Sequence, residues 1–290
     1  MAFSNLQMKK TTSEFALHKL MSRMAPVVDF AHNFRELEDR KGASIVIPTF
    51  ELTDAGEFNA ASNNYFGGTN EVDSQTVTLD KHFVKSLSFT DRDMAETEVQ
   101  FARDGGIAIG DCLGKAIYQY VVGLINTTNV TNSETVTLTA KKAFADLFAV
   151  VYKYGMDISE TVLMLKPEQF AVLLGTLDAN VYGGDEAIRG GRIPGLYGFK
   201  SVVCAPGMTA ESNCVGALVD RNSIGVAARY LEPMAGAYVE SWQASDPVSG
   251  LPIGFRVAAD LASGKRYIAG EAIVGAKVIR PDGVVLLKSA

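Results

Sequence analysis

The chain has 290 residues, 47% hydrophobic and 21% charged, with a formal net charge of −6. That composition supports one large core or two modest ones, no run approaches the roughly 18 apolar residues of a membrane-spanning helix, and the opening MAFSNLQMKKTT lacks the apolar centre of a secretory signal. A mildly acidic chain whose basic runs stop at Lys9-Lys10 and Lys141-Lys142 is not built to grip nucleic acid tightly, and three cysteines without a C-x-x-C (Cys112, Cys204, Cys214) fit a reducing compartment.

The first segment reads as an arm with a short helix. Leu17, Leu20, Met21 and Met24 share a helical face, Ser13 is placed to cap it, and Pro26 is expected to end it. SIVIPTFEL is a strand candidate, with Pro48 pointing to an edge position. A stretch rich in Gly and Asn follows, and then TVTLDKHFVKSLSF alternates. Val77, Leu79, Phe83, Leu87 and Phe89 fall on one side, interrupted by Lys81, Val84 and Lys85. This reads as one long two-stranded ribbon. Two strands alone are marginal in water, so the ribbon needs either its own core or another subunit to cover it.

The strongest helix signal spans 91–126. Asp91 or Asp93 serves as N-cap, and Val99, Ala102, Gly106, Ile109, Leu113, Ile117, Tyr120 and Leu124 recur three and four apart. Gly105, Gly106, Gly110, Gly114 and Gly123 lie inside it. Each weakens the helix by up to about 1 kcal/mol, which calls for a compensating close approach or a bend. A second helix over 140–154 takes Thr139 as its cap and Gly155 as its stop. TVLMLK reads as a buried strand, and Pro167 opens a short helix in the favoured first position. Residues 177–198 form a long glycine-rich loop, of the kind that binds or assembles. FKSVVCAP, CVGALVD, SIGVAARY and GAYVESW then read as strands, and the tail adds more, ending in an edge strand. The fold class is α+β, with one domain made from two separated parts of the chain.

Catalytic patterns are missing. There is no H-E-x-x-H, no G-x-S-x-G and no G-x-x-x-x-G-K-[ST]. Gly190 to Gly198 fails the dinucleotide spacing and leads into a strand instead of a helix. Asp91 and Asp93 fit helix capping better than acid–base work, and Trp242 fits packing. The expectation is no enzyme, no catalytic residues, no cofactor and no metal; a ligand pocket near Arg189 and Arg192 is the form an enzyme reading would take.

The order of elements resembles the major capsid proteins of tailed bacteriophages, the Hong Kong 97 fold. GASIVIPTF resembles the start of that family's extended loop. KSLSFTDRDMAETEVQFARDGG resembles the strand that enters its spine helix. VLMLKPEQFAVLLG and IRGGRIPGLYGFKSVVCAP resemble steps of its axial domain. The resemblance implies an N-terminal arm (1–43), an extended β-ribbon loop (44–90), a discontinuous peripheral domain with the spine helix (91–134 and 235–290) and an α/β axial domain (135–234). It also implies self-assembly into hexamers and pentamers of an icosahedral shell around double-stranded DNA, which is enclosed without sequence-specific binding. Scaffolding, portal and decoration proteins are the implied further partners, with no membrane, a virion location and assembly in the host cytoplasm. The ribbon would lie over a neighbouring subunit, and Phe58, Tyr65, Phe66, Lys81, Phe83, Lys85, Arg189, Arg192 and Tyr197 are the expected inter-subunit contacts. A nanocompartment of the same fold enclosing a protein cargo, an encapsulin, is the alternative.

Overall fold

The computed structural model describes residues 5–34, 44–50, 72–177, 192–208, 213–232, 238–260 and 262–289. Its longest element, α2 (Asp91–Gly123), has 33 residues and spans roughly 50 Å. Ala102, Ile109, Leu113, Ile117 and Val121 are buried along one face, at the helical spacing the sequence predicts.

Helix α1 (Asn5–Phe30) lies along α2. The glycines of α2 make this contact. A Cβ at Gly106 would sit 2.5 Å from the Thr12 carbonyl oxygen, and one at Gly110 would sit 2.1 Å from that of Ala16. The close approach expected from the glycine content is therefore present, and its partner is the N-terminal helix.

Two expectations for α1 are corrected. The helix does not end at Pro26 but runs through it to Phe30. An interior proline costs about 3 kcal/mol. Val27 and Phe30, 4% and 0% exposed, together offset it, since each buried side chain of this size contributes roughly 1.5–3 kcal/mol. Ser13 is not a cap: it lies inside the helix, where its hydroxyl accepts from Trp242 Nε1 at 2.8 Å.

The first sheet contains β1 (Ala31–Asn33), β4 (Lys81–Thr90), β10 (Ile224–Arg229), β11 (Glu240–Ser245), β12 (Pro252–Asp260) and β13 (Lys265–Val278). The order is β1-β10-β13-β12-β11, and β4 pairs with the other side of β13. The second sheet runs β5 (Asn132–Val136), β14 (Val284–Ser289), β9 (Cys214–Asp220), β6 (Thr161–Leu165), β8 (Ser201–Cys204), β7 (Arg192–Pro194). Helices α3 (Lys141–Lys153) and α4 (Pro167–Thr176) cover one face of it, around Phe144, Leu147, Leu163 and Leu218. Its other face, with Val162, Met164 and Val219, joins the core around α1 and α2. Pro167 opens α4 and Gly155 follows α3 at φ +65°, as expected. Thr139, the expected cap of α3, is not one: Ala140 occupies that position without a side-chain bond.

A two-stranded antiparallel sheet pairs β2 (Ser44–Phe50) with β3 (Val72–Thr78). The long alternating run expected over 76–89 breaks after Thr78, and its second half is β4 of the first sheet. Gly275 of β13 permits the break. The Thr78 carbonyl oxygen lies 2.3 Å from where a Cβ at 275 would stand, so only glycine lets the turn press onto the sheet. The base of the ribbon has its own core, with Ile45, Ile47 and Val77 buried against Ala227 and Ile279.

The last strand is not an edge. β14 lies between β5 and β9, and Val284 to Leu287 are all buried. Four apolar residues in succession mark a strand covered on both faces. Sheet membership also crosses the segment boundaries read from sequence: β10 joins the first sheet, while β5 and β14 join the second.

Candidate functional site

Among the described residues no three His, Cys, Asp or Glu side chains gather as metal ligands would. No helix among them is long and apolar enough to cross a membrane. The residues nominated as contacts are spread over three places. Phe58, Tyr65, Phe66 and Arg189 lie outside the described residues.

Lys81, Phe83 and Lys85 sit on β4. Strand alternation turns Phe83, Lys85 and Leu87 to the helix side of the sheet, opposite Ala272, Gly270 and Ile268. Phe83 packs into the main core and meets the Tyr120 ring edge-on, with centroids 6.2 Å apart. Lys81 is exposed, pairs with Asp80 at 3.2 Å and stands 5.8 Å over the Tyr120 ring. Burial works against ionisation of Asp80, but bonds from Lys81 and Tyr120 outweigh it and hold its carboxyl below the usual range. Burial pushes the Tyr120 hydroxyl up.

The other face of β4 carries His82, Val84, Ser86 and Ser88. Val84 is 54% exposed. His82 Nε2 is 3.2 Å from Glu271 Oε2, and Glu271, buried, is also paired with Arg256 of β12. Arg256 Nη1 donates to the Tyr238 hydroxyl at 2.8 Å.

Arg192 opens β7 and pairs within the chain. Its Nη2 donates to Asp29 Oδ1 at 2.6 Å, and Ser201 Oγ donates to Asp29 Oδ2 at 3.0 Å. Tyr197 lies in the turn between β7 and β8, at φ 54°. It is the only residue other than glycine in the left-handed region among the described residues, an arrangement that stores strain. Gly195 and Gly198 flank it at φ 67° and 83°.

Periodicity puts Phe148 on the apolar face of α3 with Phe144, Leu147 and Val151, but the structure buries only those three and leaves Phe148 exposed beside Tyr152. Phe148 and Tyr152 are 44% and 58% exposed, with ring centroids 4.9 Å apart. Their four-residue spacing was legible; which face of α3 the sheet covers was not. Val46 on β2 is similarly exposed at 57%.

No protein-family model matches the chain, and no curated protein does. Solved structures do. The capsid of an empty GTA particle, computed with C5 symmetry, aligns over 93% of this chain and 90% of its own, with a TM-score of 0.58 and 15% identity. A virus-like particle from Pyrococcus furiosus aligns over 96% and 98%, with a TM-score of 0.55 and 11% identity. Mycobacterium phage Che8 aligns over 85% of both chains, with a TM-score of 0.54 and 16% identity. At these identities the likeness is one of fold. The chain has the mixed α+β fold of phage and virus-like-particle capsid proteins.

Proposed function

We propose that this chain is the major capsid protein of a tailed phage, building hexamers and pentamers of an icosahedral shell that encloses double-stranded DNA. The observation that carries the reading is the near-complete alignment with the GTA capsid, 93% of one chain and 90% of the other. A match of this extent takes in both sheets and the long helix together, not one common motif. The acidic balance, net −6, supports it, because like-charge repulsion keeps packaged DNA from sticking to the wall. Exposed apolar side chains on three separate elements, Val46, Val84 and the Phe148–Tyr152 pair, suit a subunit with several neighbours.

The finer arrangement belongs to the same proposal. Residues 44–78 act as an extended loop over a neighbouring subunit, the first sheet with α2 as a peripheral domain, and the second sheet with α3 and α4 as an axial domain, after the Hong Kong 97 plan. Scaffolding and portal proteins are the expected further partners, and the virion is the expected location. No catalytic role is proposed. Deleting residues 56–70 should leave a folded subunit that does not close shells; particles indistinguishable from wild type would remove the extended loop from the account. The Pyrococcus furiosus match favours a second reading, a shell of this fold with other contents. Nuclease-protected DNA inside particles recovered from the native source separates the first reading from the second.

A further inference from the structure

Two crossings between the sheets run side by side. Residues 221–223 join β9 to β10, and residues 279–283 join β13 to β14. The Ile279 and Arg280 amides donate to the Ser223 carbonyl at 2.7 and 3.2 Å. Gly283 fits so closely that a Cβ there would stand 1.9 Å from Ser223 Oγ. Short irregular links of this kind absorb backbone rotation. Beside them a solvent-open pocket of about 190 Å³ is lined by Val27, Ala31, Arg221, Val226 and Val248 among others.

Helix α1 spans the two sheets. Near its start Lys9 pairs with Glu240 of β11 at 3.1 Å, and Ser13 accepts from Trp242. In its last turn Asp29, 6% exposed, is held by the fork of Arg192 from β7 and by Ser201 of β8. A carboxylate there faces the negative end of the helix dipole, so helix stability does not explain it. A forked guanidinium contact is strong and directional, and removing one partner strands a buried charge.

We propose that these parts are a hinge and its clasp. The paired crossings at 221–223 and 279–283 are the hinge. Asp29, Arg192 and Ser201, acting through α1, hold the two sheets at one angle, and opening the clasp lets the second sheet turn about the hinge. The inference concerns the subunit alone and does not depend on the shell reading.

The test is a distance between the sheets. Cysteines replace Val84 on β4 and Tyr152 on α3, both more than half exposed, in a Cys112→Ser, Cys204→Ala background. The full chain is spin-labelled, mixed with an excess of unlabelled chain and read by double electron–electron resonance. The clasped chain should give one distance. Arg192→Ala should add a second or broaden the first, and Arg192→Lys should do so less. Arg23→Ala, which removes an exposed ion pair between α1 and Asp111 of α2, should change nothing. Ser201→Ala provides the same reading if Arg192→Ala does not fold. An unchanged distribution in the folded clasp variants overturns the proposal, and so does an equal change in Arg23→Ala.

Discussion

A side chain at Gly110 has nowhere to go. Its Cβ would stand 2.1 Å from backbone of α1, whereas a Cβ at Gly123 meets nothing within 4 Å. Gly110→Val should therefore destabilise the subunit by about 3 kcal/mol or more, and Gly106→Val should behave alike. Gly123→Ala should stabilise it by about 0.5 kcal/mol. Urea midpoints check all three, and an equal response at 110 and 123 would remove the stripe from the account. The four-residue spacing of these glycines was legible in the sequence, but the helix they meet was not, because spacing fixes a face and not its partner. Asp111 gives a pH signature. The bond from Arg23 holds its carboxyl below the ordinary 3.8. Its stabilisation is thus fully present above that value and lost as pH falls through the lower, folded-state value. The pair is exposed, so Asp111→Asn should cost under about 1 kcal/mol at pH 7. Thermal midpoints should show the difference closing below pH 3.8; a constant offset at every pH would contradict this.

At the scale of elements, α1 is the part whose role changed most between sequence and structure. Pro26 is a strong stop signal locally, and it lost to the burial of Val27 and Phe30 against the rest of the molecule. Phe30→Ala should cost about 3–5 kcal/mol, a loss that an arm lying outside the core would not produce; chemical denaturation measures it. Strand β14 teaches the same lesson in reverse. Val284 to Leu287 carry the unbroken apolar signature of an interior strand, yet position at the chain end suggested an edge. The turn at Leu79–Asp80 had no local signal at all. It depends on Gly275, nearly 200 residues away in the chain, which no window of sequence brings together with it. By contrast α2, α4 and the stop at Gly155 follow rules that act within one or two turns, and all were legible.

At the scale of the molecule, one core runs from the first sheet through α1 and α2 into the second sheet, and a separate core lies under α3 and α4. The order of elements along the chain was enough to suggest this fold, and the capsid structures share it over most of their length. The contact residues were less legible. Phe83 packs in the subunit's own core and Arg192 bonds Asp29, while periodicity put Phe148 on the apolar face of α3 and did not show that the sheet leaves it exposed beside Tyr152. Replacing both Phe148 and Tyr152 by Glu should leave circular dichroism unchanged and lower particle yield; full yield would exclude that face from assembly. The central claim is that the subunit builds a shell, and its most direct test is to express the chain alone, pass it through size-exclusion chromatography with light scattering, and image the heavy fraction by negative-stain electron microscopy. The account predicts rings, sheets, tubes or closed shells. A persistent monomer of 31.1 kDa, or a dimer, at high concentration and with scaffolding candidates present would contradict it.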